Sequence, residues 1–274
     1  MGQVSSNPLH RKVIVIIGGT QGIGLSAAKA VISAGAKVIC VGRNPDNASK
    51  ARETLKDKGE VLIGDASDSE TAGKAIQAAI EKFGGFHGLY HVAGGSGRRW
   101  GDGPLHEISL EGWDKTLALN LNAVFYSNRA AIRQFLKQES GGAVLNMSSV
   151  LGFSPSERHF STHAYATTKA AIIGLTRSAA ASYAKNNVRF NVLAPALVDT
   201  PMARRAIADD AIQSFVQSKQ PLDGGRAAIP EDLDQSAVFF LSDASRFITG
   251  QVLAIDGGWC LSDGQYLNKR GDFS

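Results

Sequence analysis

The sequence predicts one α/β domain, a doubly wound parallel sheet of about seven strands with helices on both faces. Three observations predict it. Apolar runs rich in β-branched residues alternate with longer stretches of helical spacing from one end of the 274-residue chain to the other. The apolar runs are continuous rather than alternating with polar residues, as in parallel strands buried on both faces. No Pro/Ser-rich linker, internal repeat or low-complexity block divides the chain, although its length could also hold two ordinary domains.

Strands are expected at 12–17 (KVIVII), 37–41 (KVICV), 60–63 (EVLI), 88–93 (GLYHVA), 143–147 (AVLNM), 188–194 (VRFNVLA) and 251–255 (QVLAI). Helices are expected at 22–34, 46–58, 68–83, 111–138, 164–185 and 231–242, joined to the strands by right-handed crossovers. Residues 1–11 read as a flexible N-terminal tail, 12–262 as the folded domain and 263–274 as a C-terminal tail. The stretch 196–230 breaks the rhythm with a short helix and the loop QPLDGGRAAIP, and it is the candidate lid over a substrate.

Composition excludes several classes. The net charge is +4, but the 29 basic residues are scattered and form no run of five or six, so nucleic acid is not an expected partner. Cys40 and Cys260 can form no disulfide framework and have no ligand spacing; no metal is expected, and a reducing cytoplasm fits. The run VIVIIGG is too short to span a membrane and lacks the layout of a secretory signal, so no membrane partner is expected. The opening MGQVSS, with Gly2 and Ser6 in place, matches a myristoylation pattern short enough to recur by chance and is read as tail.

VIVIIGGTQGIGLSAAKAV reads as a strand, a glycine turn and a helix whose first turn holds Gly22 and Gly24. In a Rossmann-type unit such glycines let the chain turn sharply and bring backbone N–H groups to a pyrophosphate at the helix entrance. A tight turn alone would also use glycines; the position in the first βα turn favours a dinucleotide. The second strand ends in CVGRN. An acid there would bond a ribose 2′-hydroxyl, whereas Gly42 leaves room and Arg43 offers a guanidinium to a 2′-phosphate, so NADP(H) is expected over NAD(H). The competing role for Arg43 is a solvated loop residue.

At 164–171 the stretch AYATTKAA sets Tyr165 and Lys169 four apart, on one face of a helix. An ammonium beside a phenol favours phenolate and lowers a pKa that is otherwise about 10. Such a pair alone is more often a surface feature. Here LNMSSVLG ends the fifth strand with Ser148 and Ser149 at the carboxyl edge of the sheet, where ligands of doubly wound folds bind, and LALNLNAVF puts Asn120 in a helix flanking that edge.

The glycine loop, with Gly18, Gly22 and Gly24, resembles the T-G-x-x-x-G-x-G loop of the short-chain dehydrogenase/reductase family, Ile17 standing where Thr is usual. Asn120, Ser149, Tyr165 and Lys169 match that family's tetrad. The resemblance implies that Tyr165 protonates a substrate carbonyl and that Ser149, rather than Ser148, bonds its oxygen. It further implies that Lys169 depresses the Tyr165 pKa and binds the nicotinamide ribose, and that Asn120 holds a water feeding protons to Lys169. The alternative for Asn120 is a polar group that satisfies its own helix.

Cofactor contacts are implied for Gly18, Thr20, Gln21, Gly22 and Ile23 in the loop, Arg43 after the second strand, and Asp65 and Ala66 after the third. Asp65 lies where the family places an acid beside adenine, and its competing role is a helix cap in DASDSE. HVAGG resembles N-N-A-G, with His91 and Val92 replacing both asparagines and Ala93 and Gly94 retained. APALVDTPM resembles P-G-x-x-x-T, with Pro195 in place, Ala196 for Gly, and Val198 and Thr200 facing the nicotinamide carboxamide; FITGQVLAIDGGW matches the last strand. The implied activity is an NADP(H)-dependent oxidoreductase acting on a small-molecule carbonyl or alcohol, in a homotetramer or dimer. The other reading is a non-catalytic NAD(P)-binding redox sensor of the same fold, whose signature, loss of the tyrosine or lysine, is not met.

For the substrate, VLGFSPSERHFSTHA brings Arg158, His159, Phe160 and His163 near the site, and GGSGRRWGDG brings Arg98, Arg99 and Trp100 to the same edge. Arg98 and Arg99 are expected to line a pocket for a polar or anionic carbonyl compound, the alternative being solvated loop arginines. Phe153, Phe160, Met202 and Phe215 are either pocket wall or core.

Overall fold

The computed structural model describes residues 7–265. Seven strands, β1 (Val13–Ile17), β2 (Lys37–Gly42), β3 (Gly59–Ile63), β4 (Gly88–His91), β5 (Gly142–Met147), β6 (Val188–Pro195) and β7 (Val252–Ile255), form one sheet in the order β3-β2-β1-β4-β5-β6-β7. Every pairing is parallel. The chain winds outward from β1 through β2 to β3 and then returns to place β4 on the other side of β1. The crevice of a doubly wound sheet opens at such a reversal, beyond the carboxyl ends of the strands.

Alternate residues of each strand feed two cores. Ile14 and Ile16 of β1 pack, with Leu145 and Leu193, under α1 (Gly22–Ser33). Val13, Val15 and Ile17 pack, with Val144 and Phe190, under α3 (Thr71–Phe83). All of these apolar side chains are at most 3% exposed, and each contributes about 1.5–3 kcal/mol by leaving water. Helix α2 (Pro45–Leu55) begins at Asn44, whose side chain accepts the Asn47 amide, and gives way at Lys56, where φ is +53°.

The single helix expected over 111–138 is instead α4 (Leu110–Leu117), a π turn over Ala118–Asn122 and α5 (Ala123–Gln138). Side chains compete with the helix here: the Thr116 hydroxyl donates to the Gly112 carbonyl and the Asn120 amide to the Thr116 carbonyl. Wide turns of this kind occur mostly inside helices at functional positions.

The long helix α6 (His163–Tyr183) lies on β6 through small and β-branched residues. A buried network ties it down: Asn128 and Asn146 exchange hydrogen bonds at 2.9 Å each way, and Asn146 also donates to the Thr176 hydroxyl at 3.0 Å. The segment 196–230 holds α7 (Arg204–Ile207) and α8 (Asp210–Lys219), packs a small core around Leu197, Ala206, Ile212 and Val216, and is closed at its base by a bridge between Val198 and Ala228. Helix α9 (Asp234–Leu241) completes the β1-side layer with α1.

The expectation of a tail over 1–11 is corrected for residues 7–11. They form a turn whose Leu9 is fully buried and donates its amide to the Ala34 carbonyl, because α1 needs an apolar cover at its far end. The MGQVSS pattern, and all of the expected C-terminal tail beyond 265, lie outside the described residues.

Candidate active site

One cleft of about 530 Å³ opens at the carboxyl edge of the sheet. Every cofactor residue expected from the sequence lines it, as do Ser149, Tyr165 and Lys169; Asn120 does not.

The glycine turn is a cradle that side chains would fill. A Cβ on Gly18 would lie 2.6 Å from the Ala93 nitrogen, one on Gly24 2.0 Å from the Gly18 carbonyl oxygen, and Gly18 and Gly22 have φ of +91° and +51°. The N-cap residue of α1, Gln21, makes no side-chain capping bond, and the first turn carries no acid. The first-turn amides therefore point into the cleft edge without a side-chain acceptor, which fits the pyrophosphate of a dinucleotide.

At the end of β2, Arg43 ion-pairs with Asp65 at 3.3 Å, both side chains being about half exposed. Burial works to raise the Asp65 pKa, but the amide and hydroxyl of Ser67 and the Arg43 guanidinium outweigh it and hold the carboxyl below the usual range. Asp65 caps no helix: α3 starts after Glu70, and Asp65 instead closes a turn with Ser67. Gly42 also lines the cleft, and its missing Cβ is where the Thr20 side chain sits, with Oγ1 only 2.0 Å from the position a Cβ would take.

At the opposite end, the close of the fifth strand and α6 bring three of the four expected catalytic residues together, Ser149, Tyr165 and Lys169. Ser149 is buried, caps the short turn after β5 through the Leu151 amide, donates from Oγ to the Pro195 carbonyl at 3.4 Å, and acts to lower the pKa of the Tyr165 phenol. Ser148 turns away, donating to the Lys169 carbonyl at 2.7 Å and so tying β5 to α6. Lys169 is 3% exposed, donates from Nζ to the Met147 carbonyl at 3.0 Å, and lies 5.4 Å from the centre of the Tyr165 ring.

The expectation that Lys169 depresses the Tyr165 pKa is corrected. Burial of the hydroxyl dominates and pushes Tyr165 up to about 12, and the group that opposes this is Ser149. Burial likewise pushes Lys169 down to about 8, which weakens its standing as a permanent cation.

Asn120 sits in the π turn, fully buried below the cleft. Its Oδ1 accepts the Gly95 amide at 3.1 Å, and its Nδ2 donates to the Gly95 and Thr116 carbonyls. It thus satisfies its own helix and also clamps the loop after β4. His91, in place of an asparagine, does related work. Its ring joins the Ala93 carbonyl at 3.0 Å and the Ser127 hydroxyl at 2.7 Å, and burial, then the charge of Lys169, lower its pKa to about 3.

Pro195 ends β6, Val198 and Thr200 follow it on the facing wall, and Thr200 packs within 3.4 Å of where a Gly22 side chain would be. Of the four side chains expected to be pocket wall or core, Phe160 and Met202 line the cleft, Phe153 is 46% exposed outside it, and Phe215 packs on Trp259. Sequence reasoning missed three residues. Trp259 lines the cleft and donates to the Ser154 carbonyl, and Arg205 reaches the rim from α7. Asp102, 5% exposed, accepts the Ala164 and Tyr165 amides at 3.0 Å each. The last is a cap supplied from a distant loop, a role no local spacing announces; Thr162, the N-cap residue of α6, makes no side-chain cap.

A family model described as Enoyl-(Acyl carrier protein) reductase matches residues 18–260. The chain is 34% identical, over 92% of its length and 98% of the relative's, to 2-(S)-hydroxypropyl-CoM dehydrogenase 3 of Xanthobacter autotrophicus. It is 31% identical, over 90% and 96%, to cis-4-hydroxycyclohexanecarboxylate dehydrogenase of Sinomonas cyclohexanicum. A solved short-chain type dehydrogenase/reductase from Mycobacterium ulcerans superposes with a TM-score of 0.84 at 31% identity, covering 93% of this chain and 91% of that one.

Proposed function

The chain belongs to the short-chain dehydrogenase/reductase family, as an oxidoreductase that acts on CH–OH groups or the corresponding carbonyls with NAD(P), and we propose that it is an NADP(H)-dependent carbonyl reductase with Tyr165 as its general acid. The observation that carries this reading is the continuity of one cleft from the glycine cradle and Arg43 to the Ser149–Tyr165–Lys169 cluster.

Arg43 is the one cation at the end of β2 that lines this cleft, and its second face remains open to a 2′-phosphate beside the Asp65 pair. When bound, the nicotinamide supplies or accepts the hydride. Ser149 donates a hydrogen bond to the substrate oxygen, and Tyr165 gives that oxygen its proton. A pKa of about 12 keeps the phenol protonated across neutral pH, the state a reduction requires. Lys169, at 5.4 Å from the ring and held by the Met147 carbonyl, binds the nicotinamide ribose. Asn120 and His91 hold the loop after β4 rather than touching reactants. The segment 196–230 acts as the lid, and the chain works as a homotetramer or dimer, for which the exposed Phe125 and Leu136 of α5 provide apolar surface.

Initial rates on a panel of ketones and secondary alcohols with NADPH and NADH test the reading. Turnover with a preference for NADPH is expected; no turnover of any member with either cofactor contradicts it.

A further inference from the structure

The charge of the cleft is one-sided. Among its lining residues the one carboxylate is Asp65, at the β2–β3 end and already engaged by Arg43 and Ser67. The rim elsewhere carries Arg98, from the turn after β4, and Arg205, from α7. Both guanidiniums donate to a single acceptor, the carbonyl of His159, Arg98 at 3.2 Å and Arg205 at 3.4 Å.

Two like charges are thus brought to one neutral oxygen. Burial, and next the charge of Arg205, push the Arg98 pKa below its ordinary value. Neither arginine has an ion-pair partner among the described residues. Asp102 acts on Arg98 from a distance, but both of its oxygens are taken by the amides of Ala164 and Tyr165. Each guanidinium has five N–H donors in a planar fork, and one shared carbonyl leaves most of them for an outside acceptor. Arg99 lines the cleft as expected from the sequence, but its guanidinium is stacked on the Trp100 ring at 3.9 Å.

Resting on the oxidoreductase reading above, we infer that Arg98 and Arg205 form an anion subsite, so that the substrate is a carbonyl or alcohol compound bearing an oxyanion, a carboxylate in the simplest case, away from the reacting carbon. Three segments meet there: the turn after β4, the loop before α6 and the 196–230 segment. An anion bridging the two arginines draws all three together, and Phe160, Trp259 and Met202 give the same cleft an apolar wall for the substrate body.

The test compares matched probes: 3-oxobutanoate, 4-oxopentanoate and 4-oxocyclohexanecarboxylate, each against its methyl ester. Binding is followed by calorimetry with and without saturating NADP+, and turnover as kcat/KM with NADPH. The full-length protein is expected to prefer at least one acid over its ester by about tenfold or more in both readouts. In R98Q/R205Q that preference collapses to within about threefold, R98K/R205K keeps part of it, and R99Q keeps most of it. Equal binding of every acid and its ester, or an acid preference that survives in R98Q/R205Q, overturns the subsite. Acid-selective binding that is lost in R98Q/R205Q, without turnover of any probe, upholds the subsite and counts against the oxidoreductase reading instead.

Discussion

The carboxylate of Asp102 caps the helix that carries Tyr165. Its Oδ2 accepts the Tyr165 amide and its Oδ1 the Ala164 amide, both at 3.0 Å. Buried, and placed where the helix dipole favours negative charge, it sets the angle at which α6 enters the cleft, and the neighbouring carbonyl of Gly103 takes the His163 amide. The loop after β4 therefore positions the phenol from a distance.

Removing that cap costs both stability and rate. Asp102→Ala is expected to lose roughly 1–3 kcal/mol, a Tm fall of about 2–10 °C. It should also lose about tenfold or more in kcat with little change in cofactor KM, because the proton donor is misaligned. Asp102→Asn, with one acceptor oxygen, falls between. Scanning fluorimetry and steady-state kinetics check this; a Tm loss with unchanged kcat in the folded enzyme would show a purely structural cap.

His91 makes stability depend on acid. The folded protein holds the ring neutral, with a pKa lowered from 6.5 to about 3, while the unfolded chain takes up a proton below pH 6.5. Its contribution is therefore full above pH 6.5 and is lost as pH falls toward 3. Tm should drop between pH 7 and pH 5, and His91→Asn should lower Tm at pH 7 but shrink that drop. Parallel slopes for the two proteins would contradict the assignment.

On the proposed reading, Arg43 sets cofactor choice. Arg43→Ala is expected to weaken NADPH binding by about 10–100-fold, the worth of a charge-assisted phosphate contact, while NADH changes little. Arg43→Asp, which places two carboxylates together with Asp65, should flatten or reverse the preference. Fluorescence titration with both cofactors measures it; an unchanged preference for NADPH in Arg43→Asp would remove the role.

The sheet was legible in the sequence because strands buried on both faces must read as continuous apolar runs, and the glycine turn because its positive φ and close contacts exclude other residues. Tyr165 and Lys169 were legible through helical spacing. What stayed hidden depends on contacts across loops: the Asp102 cap spans 62 positions to Ala164, the Arg98–Arg205 convergence joins two separate segments, and the π turn arises from Thr116 and Asn120 bonding to carbonyls of their own helix. The ionisation of Tyr165 was misread for a related reason. Spacing reveals the neighbouring ammonium but not the burial that governs both groups.

Proton delivery by the Tyr165 hydroxyl is tested most directly by Tyr165→Phe, assayed for NADPH binding and for turnover on the same preparation. NADPH affinity within about threefold of the parent, with turnover reduced by about 10²–10⁴-fold, is the predicted result. Turnover within tenfold of the parent, at any pH from 6 to 9, would contradict it.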